Sequence, residues 1–225
     1  MSTDAGGPVV DSGFSAVIRY YNLWRKLANS AASGPYEEAD WEAGRLYFRS
    51  DYREKLREWP EWARLGDWAA WIIAPTSNGY FCVLRSLKHE RASQRSESIE
   101  AVFSRSVDAG KYIILQMGDS LRSHLRLETL FIRWDDRGLN PRLAVEPADS
   151  GVIDLLANEI PALNRDTAQH LKRYTLRDDP GSYGFAVPAE QTNMEVLALS
   201  FDELTAALLE DMPDSITSQV TRWRQ

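Results

Sequence analysis

The sequence predicts an α+β fold: a mostly antiparallel sheet with packed helices, forming a single domain that opens with an N-terminal helix. Three observations carry this. Short aromatic and β-branched runs bounded by turn residues gather between Arg45 and Phe103. Two long apolar stripes at three- and four-residue spacing flank that stretch. Strands and helices also fail to alternate as regular β-α-β units, which argues against a doubly wound sheet. The 225 residues, 44% hydrophobic and 26% charged, can bury a full core and give disorder no compositional support. Residues 1–35 read as the N-terminal helix and its linker, and residues 36–225 as the α+β body.

The elements follow in order. Phe14, Val17, Ile18, Tyr21, Trp24, Leu27 and Ala28 form one face of a helix that starts near Ser12-Gly13 and ends in Asn29-Ser30-Ala31-Ala32-Ser33-Gly34-Pro35. Trp41, Trp59, Trp62, Trp68 and Trp71 then crowd 31 residues and are expected to fill a core, with their indole N–H groups reaching polar partners. Arg45–Arg49, Ala70–Ala74 and Tyr80–Leu84 read as strands, the last two joined through Asn78-Gly79 as a hairpin. Ser98–Phe103 alternates polar and apolar residues, as a half-buried strand does. From Ser106 to Leu127 the spacing becomes helical, with Ser106 placed to cap the helix and Gly118 inside it for a packing reason. A short strand pair near Phe131–Trp134, helices over Val152–Asn158 and Asp166–Tyr174, and strands at Gly184–Val187 and Glu195–Leu199 complete the reading. A last helix starts at the capping-box pattern Ser200-Phe201-Asp202-Glu203.

Composition narrows the function. Twenty-six Lys and Arg against 33 Asp and Glu give a net charge of -7, which opposes a sequence-independent grip on nucleic acid. Residues 1–84 carry 9 basic and 11 acidic groups, residues 85–145 carry 11 and 8, and residues 146–225 carry 6 and 14, so balances of -2, +3 and -8 place most of the negative charge in the last third. Cys82 is the only cysteine, which excludes an intramolecular disulfide and a thiolate metal cluster and fits a reducing compartment. The first residues lack a basic start and an apolar signal core, and no 18-residue apolar run occurs, so a cytoplasmic protein with no membrane partner is expected.

Motifs for catalysis are few. Gly118-Asp119-Ser120-Leu121 spells the motif of the GDSL hydrolases, which would make Ser120 a nucleophile. In those enzymes the motif opens the domain and a late Asp-x-x-His supplies the base; here 117 residues precede it, and Asp166-Thr167-Ala168-Gln169-His170 has one residue too many. His89, His124 and His170 fall on three separate elements without metal-ligand spacing, and no phosphate-binding glycine motif is present. No cofactor and no metal are therefore expected. Paired acids Asp135-Asp136 and Asp178-Asp179 would need environments that push their pKa values apart to act as acid and base, which a sequence does not reveal.

A spaced pattern is more informative. Trp41-x-x-Gly44-Arg45-Leu46-Tyr47-Phe48, Tyr80–Leu84 leading to Glu90-Arg91, Phe103, Lys111-Tyr112, Gly118–Arg122 and Leu125 to Leu130 resemble the immunity protein 61 family. That resemblance implies a non-enzymatic cytoplasmic antidote to polymorphic or type VII-secreted toxins, among them a mycobacterial NAD-degrading toxin, acting by occlusion of the toxin's active site. An added N-terminal helix and an Arg53–Trp68 insert depart from the short form of the pattern. The partner is then a cognate toxin domain, met by a protein that is a monomer when free. Asp135, Asp136, Asp178, Asp179 and Tyr183 are the candidate partner-binding residues, because they fall on glycine- or proline-marked loops that a rigid domain can present. The alternatives are a secretion chaperone or adaptor and, further off, a GDSL-like hydrolase.

Overall fold

The computed structural model describes residues 12–50, 57–58, 60, 69–87, 96–159, 163 and 165–224. Helix α1 spans Ser12–Ser30 and is followed by β1 (Asp40–Glu42), β2 (Arg45–Ser50), β3 (Ala69–Pro75), β4 (Phe81–Leu87) and β5 (Ser96–Phe103). Helices α2 (Ser106–His124) and α3 (Leu130–Arg137), strand β6 (Leu143–Pro147), helices α4 (Ser150–Glu159) and α5 (Arg165–Ala168), and strands β7 (Lys172–Leu176) and β8 (Tyr183–Ala186) come next. A 3-10 segment (Pro188–Ala198) and helices α6 (Phe201–Leu209) and α7 (Asp214–Arg224) end the described chain. The fold is α+β. Its eight strands lie in the order β1-β2-β3-β4-β5-β8-β7-β6, and every neighbouring pair is antiparallel.

Period-two alternation sends each strand's side chains to two different cores. Leu46, Phe48, Ile73, Val83, Ala101 and Phe103 pack with α1, α2, α6 and α7. Tyr47, Ala70, Ile72, Cys82, Leu84, Val102 and Phe185 face the opposite side, where Leu156, Leu163, Ala168 and Leu171 cover them. Helices thus lie on both faces of the sheet. The hairpin through Asn78-Gly79 forms as expected, with Gly79 at φ +81° and Ala74 opposite Cys82. Cys82 is buried in that second core. The capping box is also present: Ser200 Oγ accepts from Glu203 N–H while the Glu203 carboxylate accepts from Ser200 N–H.

Four local expectations are corrected. Phe131–Trp134 is helical, not a strand pair, because the Asp119 carboxylate takes the N–H groups of Leu130 and Phe131 while Thr129 caps Ile132 N–H. Those are three of the four donors that a helix start leaves orphaned. The helix expected over Asp166–Tyr174 stops at Ala168, and Lys172–Leu176 instead pairs with β6 and β8. Glu195–Leu199 is not a strand; it lies mostly in the 3-10 segment, where Glu195, Val196, Leu197 and Ala198 are all buried. A continuous apolar run does not distinguish a buried strand from a buried helical turn. Finally, Arg105 and not Ser106 occupies the N-cap position of α2, without a side-chain cap. Trp59, Trp62 and Trp68, His89, Glu90-Arg91 and most of the Arg53–Trp68 insert lie outside the described residues.

Two glycines let the helices of the first core approach closely. A Cβ on Gly110 would come within 2.4 Å of Val17 Cγ2, and one on Gly118 within 2.4 Å of Leu208 Cδ1, so α1 and α6 meet α2 where it has no side chain. Gly110→Ala is expected to cost about 1–3 kcal/mol by overpacking, more than the gain of up to about 1 kcal/mol in helix propensity. Val17→Ala in the same chain should relieve most of that clash. Thermal melts of the two single variants and the double variant check this, and an undiminished Gly110→Ala protein would show that α1 does not seat there.

Candidate functional site: an acidic cleft where the sheet divides

The sheet is continuous in its hydrogen bonding only narrowly between β5 and β8. Val102 opposes Phe185 and Phe103 opposes Gly184, whereas β4 pairs with β5 along their whole length. Pro188 follows at once, and with no N–H to donate it ends the ladder. On the other strand a bulge intervenes: Val83 pairs with Ala101 and Leu84 with Ile99, leaving Glu100 as the extra residue. Ile99 then packs into one core while Ala101 and Phe103 pack into the other.

The opening so created is a cleft of about 460 Å³ between β3, β5, α2, α3 and the 3-10 segment. Trp71 and Tyr112 meet edge to face inside it, ring centroids 6.0 Å apart. Phe131 and the 53%-exposed Ile132 add apolar surface from α3. Three carboxylates line it from three elements: Glu100 from the bulge, Asp135 from α3 and Glu190 from the 3-10 segment. Glu190 is held in place by the Tyr112 hydroxyl at 3.3 Å and by a short bond from Asn193 Nδ2; Asn193 Oδ1 in turn accepts from Gln116 Nε2 at 3.0 Å. Burial, then the negative charges of Glu190 and Glu100, push the Tyr112 phenol well above its ordinary range, so it remains a donor. Among the described residues no lysine or arginine lines this cleft.

The five sequence candidates are not gathered in one place. Asp135 reaches the cleft, and Asp136 follows it on the exposed last turn of α3; both are helical and not on a loop. Asp178 and Asp179 lie in the turn between β7 and β8. Asp178 pairs with Arg142 at 2.9 Å, and Asp179 takes both ends of the Arg105 guanidinium at 2.5 and 3.0 Å, which holds its carboxyl below the usual range. Tyr183 is half-buried on β8, beside Tyr80 and Phe185 and beneath the Arg173 guanidinium. Sequence reasoning missed Glu100 and Glu190, which are 90 residues apart and meet only because the sheet divides.

Each letter of Gly118-Asp119-Ser120-Leu121-Arg122 has a packing role except the serine. Gly118 admits Leu208, Asp119 caps α3 and Leu121 is fully buried. Burial pushes the Asp119 carboxyl upward against the opposing pull of the Leu130 and Phe131 N–H groups. Arg122 is also fully buried, and its guanidinium donates to the carbonyls of Glu128, Leu208 and Glu210. Ser120 itself is exposed on α2, and His170 sits in the turn before β7. Ser120→Ala is therefore expected to change stability by no more than about 0.5 kcal/mol, and a fluorophosphonate probe to leave Ser120 unmodified; stoichiometric labelling would restore the hydrolase reading. Among the described residues no cluster of three or more His, Cys, Asp or Glu is placed to hold a metal ion, and no helix is long and apolar enough to cross a membrane.

The model of a family described as immunity protein 61 matches residues 45–178, well over half of the chain. The chain belongs to the immunity protein 61 family. The family segment runs from β2 into the turn after β7, so it contains Glu100 and Asp135 of the cleft, while Glu190, α1, α6 and α7 lie outside it. Among solved structures, Rv3902c from M. tuberculosis is similar over 93% of each chain, with a TM-score of 0.52 and 12% identity, a likeness of fold alone. No curated protein matches this immunity protein in sequence.

Proposed function

We propose that this immunity protein binds one cognate secreted toxin domain in the cytoplasm and inhibits it by covering its active site, without chemistry of its own. The observation that carries the reading is the family match over residues 45–178. Ser120 and His124 lie one turn apart on α2 but both are exposed, and His170 sits on a separate element in the turn before β7, so no described histidine is enclosed with the serine, which supports a binding role over a hydrolytic one. An NAD-degrading toxin is the target that the resemblance favours, met by a free monomer through an interface of about 800 Å² per partner.

Asp135, Asp136, Asp178, Asp179 and Tyr183 are proposed to lie on that interface. Asp178 and Asp179 meet it already engaged by Arg142 and Arg105, so their part is to shape the β7–β8 turn, whereas Asp135 and Asp136 offer charge that steers a basic partner. Reversing both to lysine is expected to slow association severalfold at low salt and leave the melting temperature nearly unchanged. Unaltered association kinetics would remove α3 from the interface. The function itself is tested by co-expressing the protein with the toxin encoded beside its gene: growth should be restored and the two proteins should co-elute.

A further inference from the structure

We propose that the cleft at the division of the sheet receives an arginine side chain presented by the toxin. This rests on the binding role just proposed and specifies its chemistry. Glu100, Asp135 and Glu190 bring three carboxylates to one concavity with no lysine or arginine among its described lining residues, and among the described residues none of the three forms an ion pair. Three carboxylates around an aromatic-walled hollow make it complementary to a cation. The Tyr112, Asn193 and Gln116 bonds fix Glu190 in advance, so little side-chain freedom is lost on binding.

The rings select which cation. Trp71, Tyr112 and Phe131 offer faces and edges to a planar, weakly hydrated guanidinium, which stacks and forks onto carboxylates where an ammonium does not. Trp71 at the cleft wall already takes a guanidinium on its ring, that of Arg85 at 4.7 Å, and elsewhere the Arg49 guanidinium lies 4.6 Å over Tyr47. About 460 Å³ accommodates a whole arginine side chain, and the exposed Ile132 at the rim offers apolar contact to the partner around it. Such a desolvated anchor within a ring of weaker contacts is the usual form of an interface hot spot.

The test compares two neighbouring substitutions in the full-length protein. Asp135→Lys places the chain's own cation in the cleft and is expected to weaken toxin binding at least tenfold, mainly through faster dissociation; Asp136→Lys, one residue along and outside the cleft, should slow association only. Glu100→Gln with Glu190→Gln is the second variant, and circular dichroism melts check that each remains folded. Independently, N-acetyl-argininamide should produce a saturable change in tryptophan fluorescence that Trp71→Phe and Asp135→Lys abolish and that N-acetyl-lysinamide does not match. If the folded Asp135→Lys and Glu100→Gln/Glu190→Gln proteins bind toxin as tightly as the parent, the cleft assignment is overturned while the immunity role stands. If the lysine amide binds as well as the arginine amide, the guanidinium assignment is overturned. A parent protein that binds no toxin overturns the role itself.

Discussion

Arg122→Met should destabilise the protein by about 2–4 kcal/mol, on the scale of leaving buried acceptors unsatisfied. The methionine preserves the apolar stem and removes every donor. The guanidinium reaches Glu128 O at 2.7 Å, Leu208 O at 2.9 Å and Glu210 O at 2.6 Å. Two of these carbonyls close the C-terminal end of α6, where the helix dipole favours a cation. Leu208 O, left buried without a partner, costs about 1–3 kcal/mol and the part-buried Glu128 and Glu210 carbonyls add less, offset in part because the charge no longer has to be desolvated. That desolvation is real: burial lowers the Arg122 pKa. Arg122→Lys should recover little, since one ammonium on a flexible stem cannot bridge α6 and the entry to α3 together. Urea denaturation with an unchanged m-value reads the loss directly; a loss under about 1 kcal/mol would show that the network is dispensable.

Asp108→Ala is expected to cost a similar amount, for a different reason. Asp108 and Lys111 form a buried pair at 2.8 Å, Ser182 Oγ donates to the second Asp108 oxygen at 2.9 Å, and the Lys111 ammonium donates to Leu199 O at 2.7 Å. Three chain segments, the start of α2, the β7–β8 turn and the approach to α6, are joined at that point. Truncating the acid strands a buried ammonium with one partner, which costs about 3–5 kcal/mol; replacing both charges with apolar groups is often nearly neutral. The double variant Asp108→Ala/Lys111→Met should therefore be more stable than Asp108→Ala alone. Additive losses in that double-mutant cycle would contradict the coupling.

These two networks also mark how far the sequence alone is legible. The hairpin at Asn78-Gly79 and the capping box at Ser200 depend on residues within five positions of one another, and both are present. The stripe from Val107 to Leu121 identifies α2, and even the presence of Gly118 within it signals a close neighbour, which is Leu208. What escapes is set by distant partners. Helix α3 exists because Asp119, eleven residues upstream, caps it. Glu195 is buried because Arg137 and the Asn140 N–H meet it from another element. Ser98–Phe103 alternates without a visible break, so the bulge that turns Glu100 into the cleft is invisible until β4 is laid beside it. Of the three carboxylates in the cleft only Asp135 is within reach of the sequence, and then as a loop residue. The family pattern, by contrast, was readable from spaced residues, because the family match covers the same central strands and α2.

The central claim is that inhibition comes from binding and not from chemistry. The measurement that tests it most directly is a titration of purified toxin with this protein, following toxin activity at concentrations far above the dissociation constant. The account predicts a linear fall in activity that reaches zero at one equivalent, with the toxin recovered intact when the complex is dissociated. Full toxin activity in the presence of excess protein, or complete inactivation by a small fraction of an equivalent, would contradict it.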